Sequence, residues 1–165
     1  LYVEALVEMN EGTVLPPDAN STMRITYGTV GGYSPKDGVI YDYRSSIDGY
    51  KEKYVENDPE FDLNPDCWAA IQKGDWGRYA DKDGKLYTGF ATNLDITGGN
   101  SGSPVINGKG ELIGLAYDGN WESMAGDLYY NPKYNKCVCV DIRFVLWMID
   151  KYAGASNLLN EICIR

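Results

Sequence analysis

The string Thr97-Gly98-Gly99-Asn100-Ser101-Gly102-Ser103-Pro104 joins a hydroxyl nucleophile to the backbone freedom needed to present it. Acyl transfer through serine places two demands on a loop. The hydroxyl must project from a tight turn, and successive N–H groups must converge where a carbonyl oxygen becomes an oxyanion. Glycines at 98, 99 and 102 permit positive φ angles and close substrate approach, which a Cβ resists. This spacing assigns Ser101 as the nucleophile and the N–H groups of Gly99 and Ser101 as the oxyanion hole. A bare G-x-S-G occurs often in ordinary turns. The full GGNSGSP string, followed directly by an apolar run, is much more specific.

The loop reads as that of a chymotrypsin-type serine protease, yet the 165 residues include no histidine. A serine hydroxyl is a weak nucleophile until a base takes its proton, and in that class the base is an imidazole oriented by a carboxylate. Lys85 and Lys109 lie at turn signals, and nothing around them marks a buried base. Three explanations stay open. The histidine and aspartate lie upstream in a larger enzyme, the chain is a non-catalytic relative, or it uses an unusual base. The start favours the first, since Leu1 opens mid-pattern with no Met and no signal peptide.

The elements that must hold this loop are mostly β, with a helical close. Tyr2 to Met9 has apolar residues at helical spacing, and Pro16-Pro17-Asp18 breaks it. Met23 to Val30 alternates at period two, which predicts a strand, and Val39 to Tyr43 predicts a second. The acidic stretch from Lys51 to Pro65 reads as loop, and Cys67 to Lys73 as a short helix. Asp83-Gly84 between Tyr79 and Leu86-Tyr87 is a hairpin signal, and Asn107-Gly108 is a stronger one. The latter sets Ser101 just before a hairpin whose second strand, Glu111 to Tyr117, runs back past it. Cys137 to Val140 predicts a last strand. Asp141 then caps a helix with Ile142, Val145, Leu146 and Ile149 on one face. Gly154 stops that helix, and Ser156 is placed to cap a final turn.

Composition suits one folded domain with a sizeable core. The net charge of −9 argues against nucleic-acid binding, and no apolar run approaches a membrane span. No cofactor and no metal is implied: Asp81-x-Asp83-Gly84 lacks the spacing and closing glutamate of a calcium loop, and Cys137-x-Cys139 lacks a third ligand. Cys137 and Cys139 would point the same way on one strand, so Cys67, Cys137, Cys139 and Cys163 read best as free, buried thiols.

From about Pro17 to its C-terminus the chain resembles the bacterial dipeptidyl-peptidase 7 and 11 family of the chymotrypsin clan. The motifs that carry this are Thr97 to Val105, Gly110 to Glu122 (GELIGLAYDGNWE), Val140-Asp141-Ile142-Arg143, Pro17 to Arg24, and Asp75-Trp76-Gly77-Arg78-Tyr79. The resemblance implies a secreted or periplasmic serine exopeptidase that releases dipeptides from oligopeptides with a free N-terminus. It implies a double β-barrel with an inserted helical domain, the catalytic His and Asp lying in the upstream barrel. Residues 1–16 would be the exit from an upstream helical region, and residues 17–165 the C-terminal β-barrel closed by the C-terminal helix. Asp118 matches the aspartate that helps hold the α-amino end, although Asp118-Gly119 alone reads as a turn. Gly119 matches the position where arginine accompanies acidic P1 residues and glycine hydrophobic ones, which implies an open, uncharged pocket.

Asp95 lies six residues before Ser101, where trypsin-like indexing puts the pocket floor and would favour Arg or Lys at P1. The family carries an aspartate there beside a hydrophobic preference. Asn100 replaces the aspartate of activated zymogens and cannot pair with a new N-terminal ammonium. Two rivals remain at this level: an endopeptidase of the glutamyl or heat-shock type, which would cleave blocked peptides, and a non-catalytic binding module of the same fold.

Overall fold

The computed structural model describes residues 1–13, 23–126 and 128–164. The expected break at Pro16-Pro17-Asp18, the boundary between 16 and 17, and residues 17–22 of the resemblance lie outside them. Helix α1 (Tyr2–Met9) forms over the expected span with no buried residue, and the Asn10 side chain donates back to the Leu6 carbonyl at 2.9 Å. A small hairpin follows, β1 (Tyr33–Lys36) and β2 (Val39–Tyr41), turning at Asp37-Gly38.

The main sheet holds β3 (Arg44–Ser46), β4 (Tyr87–Thr92), β5 (Pro104–Ile106), β6 (Leu112–Gly119) and β7 (Cys137–Asp141). Its order is β3-β4-β7-β6-β5, with every neighbouring pair antiparallel. The architecture is mostly β with a few helices. It departs from the expected closed barrel: among the described residues no ladder joins the three-residue edge strands β3 and β5, so the sheet is open.

The predicted strand from Met23 to Val30 is also corrected. The segment runs beside the end of β4 with one bridge, Val30 to Thr92, and backbone bonds Gly31 N–H to Ala91 O and Asn93 N–H to Thr29 O, both 3.1 Å. The Asn93 side chain takes the Thr29 N–H that a ladder would need, at 2.6 Å. Alternation therefore exists without a second strand to cover it, and Met23, Ile25 and Tyr27 are all exposed.

Two apolar cores result. One lies under the site: Phe90, Val105, Ala116, Cys137 and Cys139, with Leu94, Ile96 and Ile113 against them. The alternation of β7 explains it, since residues 137, 139 and 141 turn inward together. The sulfurs of Cys137 and Cys139 stand 3.6 Å apart as free thiols, whereas Cys67 is half-buried and Cys163 exposed, contrary to the expectation that all four are buried.

The other core joins the helices to the sheet through Ile47, Ile71, Tyr79, Leu86, Leu146 and Trp147. Helix α2 (Asp48–Lys53) runs into the start of the stretch expected to be loop, over Lys51 to Lys53. Helix α3 (Pro65–Lys73) starts two residues early because Asn64 accepts from the N–H groups of Asp66 and Cys67. Asp141 caps α4 (Ile142–Trp147) by accepting from Arg143 N–H at 2.9 Å, and a wider π-type turn, Met148–Tyr152, continues it. The inward face of α4 is rotated from the expected stripe. Trp147 is 1% exposed, and its indole N–H donates to the Asp75 carbonyl at 2.9 Å. Ser156 begins α5 (Ser156–Leu159) without capping it.

Ion pairs tie the helix to the far sheet edge. Asp81 meets Arg44 at 2.8 Å and Arg143 at 3.4 Å, and Arg143 also meets Asp141 at 2.8 Å. The Lys82 N–H, then the two guanidinium groups, hold the Asp81 carboxyl below its usual range. A depressed folded-state pKa contributes stability that is present above the unfolded value of about 3.9 and lost as pH falls through the folded one. Denaturant midpoints measured from pH 7 to pH 3 should therefore fall on the acid side, and Asp81→Asn should flatten that fall. An unchanged acid limb in the variant would show that Asp81 contributes nothing to it.

Candidate active site

Residues 97–103 form two linked turns hung on β6. Asn100 N–H donates to Thr97 O at 3.2 Å and Ser103 N–H to Asn100 O at 2.9 Å. The Asn100 side chain accepts from Thr97 N–H at 2.9 Å, so its amide braces the loop where a zymogen aspartate would seek an ammonium. Gly102 N–H to Ala116 O at 2.7 Å and Ala116 N–H to Ser103 O at 2.9 Å fasten the loop to the sheet. Gly99 at φ +96° and Gly102 at φ +84° take the left-handed region that favours glycine, and Gly98 does not, so two of the three expected glycines serve the turn.

Ser101 stands exposed at the rim, and its hydroxyl donates to the Tyr117 carbonyl at 3.1 Å. That carbonyl is available because Tyr117 sits where the β6–β7 register slips, between Ala116 opposite Cys139 and Asp118 opposite Val138. A bulge of this kind re-aims the backbone beside a site. Among the described residues the N–H groups of Gly99 and Ser101 have no internal acceptor.

A cavity of about 460 Å³ opens beside the hydroxyl, and Ser101, Asp95, Asp118, Gly119, Ser123 and Trp121 are among its lining residues. The structure thus brings the expected nucleophile, the expected amine anchor and the expected specificity position to one cleft. Asp95 lines it too, beside Tyr130, whose hydroxyl pKa is raised by burial and then by the Asp95 charge. Asp118 lies on β6 and accepts from the next N–H, of Gly119, at 2.7 Å.

No imidazole is present anywhere in the chain. Lys85 pairs with Asp48 at 3.0 Å, and Lys109 lies in the exposed β5–β6 turn. Sequence reasoning missed Lys136, a buried lysine that lines the cleft. Its ammonium donates to the Pro132 carbonyl at 3.0 Å, and burial pushes its pKa down. A single charged residue before a short strand offers no signal of burial. Asn120 was also missed as a hub. It donates to Glu122 at 2.9 Å and to the Tyr134 carbonyl at 2.8 Å, and accepts from Lys136 N–H at 2.8 Å, pinning the loop after Gly119 to the start of β7.

The sequence profile of the family described as Peptidase S46 matches residues 1–164. The chain belongs to the peptidase S46 family. The S46 chain is 48% identical over 163 residues to a protein of Phocaeicola vulgatus named dipeptidyl-peptidase 7. It is 46% identical over 163 residues to one of Porphyromonas gingivalis named Asp/Glu-specific dipeptidyl-peptidase. Each comparison covers 99% of this chain and 23% of the relative, so the chain spans about a quarter of the length of the proteins it matches. The crystal structure of Porphyromonas endodontalis DPP11 in complex with the dipeptide Arg-Asp superposes with a TM-score of 0.87 at 43% identity, over 98% of this S46 chain and 23% of that one. Relatives bearing the two names match equally well. Overall likeness therefore does not yield the hydrophobic P1 preference first expected, and the P1 class has to be argued from the cleft.

Proposed function

We propose that this chain supplies the nucleophile, oxyanion site and amine anchor of a serine dipeptidyl-peptidase acting on oligopeptides with a free N-terminus. The observation that carries the reading is the convergence of Ser101, Asp118 and Gly119 on one cleft in an S46 chain. Ser101 Oγ attacks the carbonyl of the second substrate residue, leaving its Tyr117 acceptor. The proton passes to a histidine, oriented by an aspartate, in the N-terminal barrel of the remaining polypeptide. Residues 17–165 would form the C-terminal part of the catalytic unit, with residues 1–16 leading out of a helical region. Oxyanion charge is received by the Gly99 and Ser101 N–H groups, whose alignment with developing charge is what lowers the barrier. The amine leaves protonated, and water then hydrolyses the acyl-enzyme. The family resemblance supports a secreted or periplasmic setting.

Asp118 measures the two-residue product by pairing with the α-ammonium. Asp118 is exposed in this chain, so the cost of about 2–5 kcal/mol for truncating one partner of a buried charge pair applies once substrate and the rest of the enzyme cover it; Asp118→Asn should then lower kcat/KM on free-amine substrates at least about tenfold. N-acetylated peptides should be poor substrates for both proteins. A panel of dipeptidyl fluorogenic substrates, free and acetylated, tests this. Equal rates on free and blocked peptides would favour an endopeptidase, and no cleavage of either would favour a binding module.

For P1 we propose an uncharged, apolar residue. Leu94, Ile96, Ala116 and Met124 line the cleft, Gly119 contributes no charge, and the Lys136 ammonium is bonded to Pro132 O. The same panel decides this. Preferred release after Asp or Glu would contradict it, and a preference for Arg or Lys would restore Asp95 as the pocket floor.

A further inference from the structure

Gly119 does not owe its identity to backbone conformation, for its φ is not among the positive ones. Space is the constraint. A Cβ built on Gly119 would fall well inside contact distance of Ser123 Oγ, while lying 3.6 Å from Ser123 Cβ, an ordinary contact. The Ser123 hydroxyl is not free to swing aside without loss, since it donates to the Asn120 carbonyl at 2.7 Å. Asn120 is itself fixed by its bonds to Glu122, Tyr134 O and Lys136 N–H. Glu122 in turn accepts from the Tyr33 hydroxyl at 2.6 Å, which carries the brace out to the β1–β2 hairpin.

We propose that Ser123 is a second specificity-determining residue of this cleft, its hydroxyl occupying the space that a side chain at position 119 would otherwise enter. The inference rests on the proposed dipeptidyl-peptidase reading for its substrate and deepens it. The shape and polarity of the P1 end belong to the 119/123 pair. A residue larger than glycine at 119 is accommodated only when the Ser123 hydroxyl is removed or rotated off Asn120. Ser123→Ala removes the clashing oxygen and keeps the Cβ that packs at ordinary distance.

The test is a double-mutant cycle in the full-length enzyme with parent, Gly119→Ala, Ser123→Ala and the double variant. Overpacking a filled space and losing the Asn120 bond should lower kcat/KM on apolar-P1 dipeptidyl substrates on the order of tenfold for Gly119→Ala, and by less than about twofold when Ser123 is already alanine. Melting temperatures should follow, with Gly119→Ala lowered and largely restored in the double variant. Gly119→Arg should gain cleavage after Asp or Glu more strongly with Ser123→Ala than without it. Additive effects in both the kinetic and the melting cycles would overturn the proposal. A parent that releases no dipeptide rejects the reading of function instead. The melting cycle then decides the packing of the pair by itself, and coupling there upholds it.

Discussion

Ser101→Ala in the full-length polypeptide is expected to lower kcat on dipeptidyl substrates on the order of 10⁶-fold, the scale on which removal of a serine nucleophile acts in a triad enzyme. Substrate binding should change by less than about threefold. On the proposed reading the walls of the cleft and Asp118 hold the peptide, whereas the exposed hydroxyl has, among the described residues, the Tyr117 carbonyl as its one hydrogen-bond partner. Steady-state kinetics give the first quantity and calorimetric titration with an uncleaved peptide gives the second. An alanine variant that still turns over, with contaminating peptidase excluded, would remove Ser101 from the mechanism.

The second large effect concerns the 165-residue polypeptide by itself. It is expected to release dipeptides at least roughly 10⁴-fold more slowly than the full-length enzyme, because no residue in it is an imidazole and loss of a triad base acts on that scale. Supplying the upstream part in the same polypeptide should restore turnover. A polypeptide of these 165 residues that works at the rate of a full-length relative, and stops when Ser101 is replaced, would show that a base inside the chain suffices. Lys136, desolvated and lining the cleft, would then be the residue to replace next.

The nucleophile loop was legible because its information is local. Two of its glycines encode the left-handed φ of the turn, and Asn100 carries a side chain that can bond back to Thr97 N–H. The Asn107-Gly108 hairpin was legible for the same reason, although the positive φ falls on Gly110 and the turn is one of five residues, Asn107 N–H meeting the Glu111 carbonyl at 3.0 Å. The β1–β2 hairpin carried an equally local signal in Asp37-Gly38 that the reading passed over. The strand expected from Met23 to Val30 failed for a different reason. Alternation reports which residues share a face, not whether a neighbour exists to pair the backbone, and here Asn93 supplies a side chain where a ladder would need a carbonyl. Barrel closure failed likewise, because it depends on partners for β3 and β5 that no pattern within either strand encodes.

At the site, Asp118 reads locally as a turn residue. Only the long family motif suggested a role for it, and the slip of register beside it is visible only once β6 and β7 are paired. Gly119 implied, through the family motif, an open and uncharged pocket. The structure adds a neighbour that the sequence did not show: the Ser123 hydroxyl lies where a side chain at 119 would begin, a relation between residues four apart that becomes visible only when the turn after β6 is in place.

The central claim is that Ser101 cleaves after the second residue of a peptide whose amine is free. The measurement that tests it most directly is mass-spectrometric analysis of the products from one hexapeptide, supplied free and N-acetylated, with the full-length enzyme and its Ser101→Ala variant. The account predicts dipeptide from the free peptide alone, and none from either peptide with the variant. Cleavage of the acetylated peptide at a comparable rate, or dipeptide release by the Ser101→Ala protein, would contradict it.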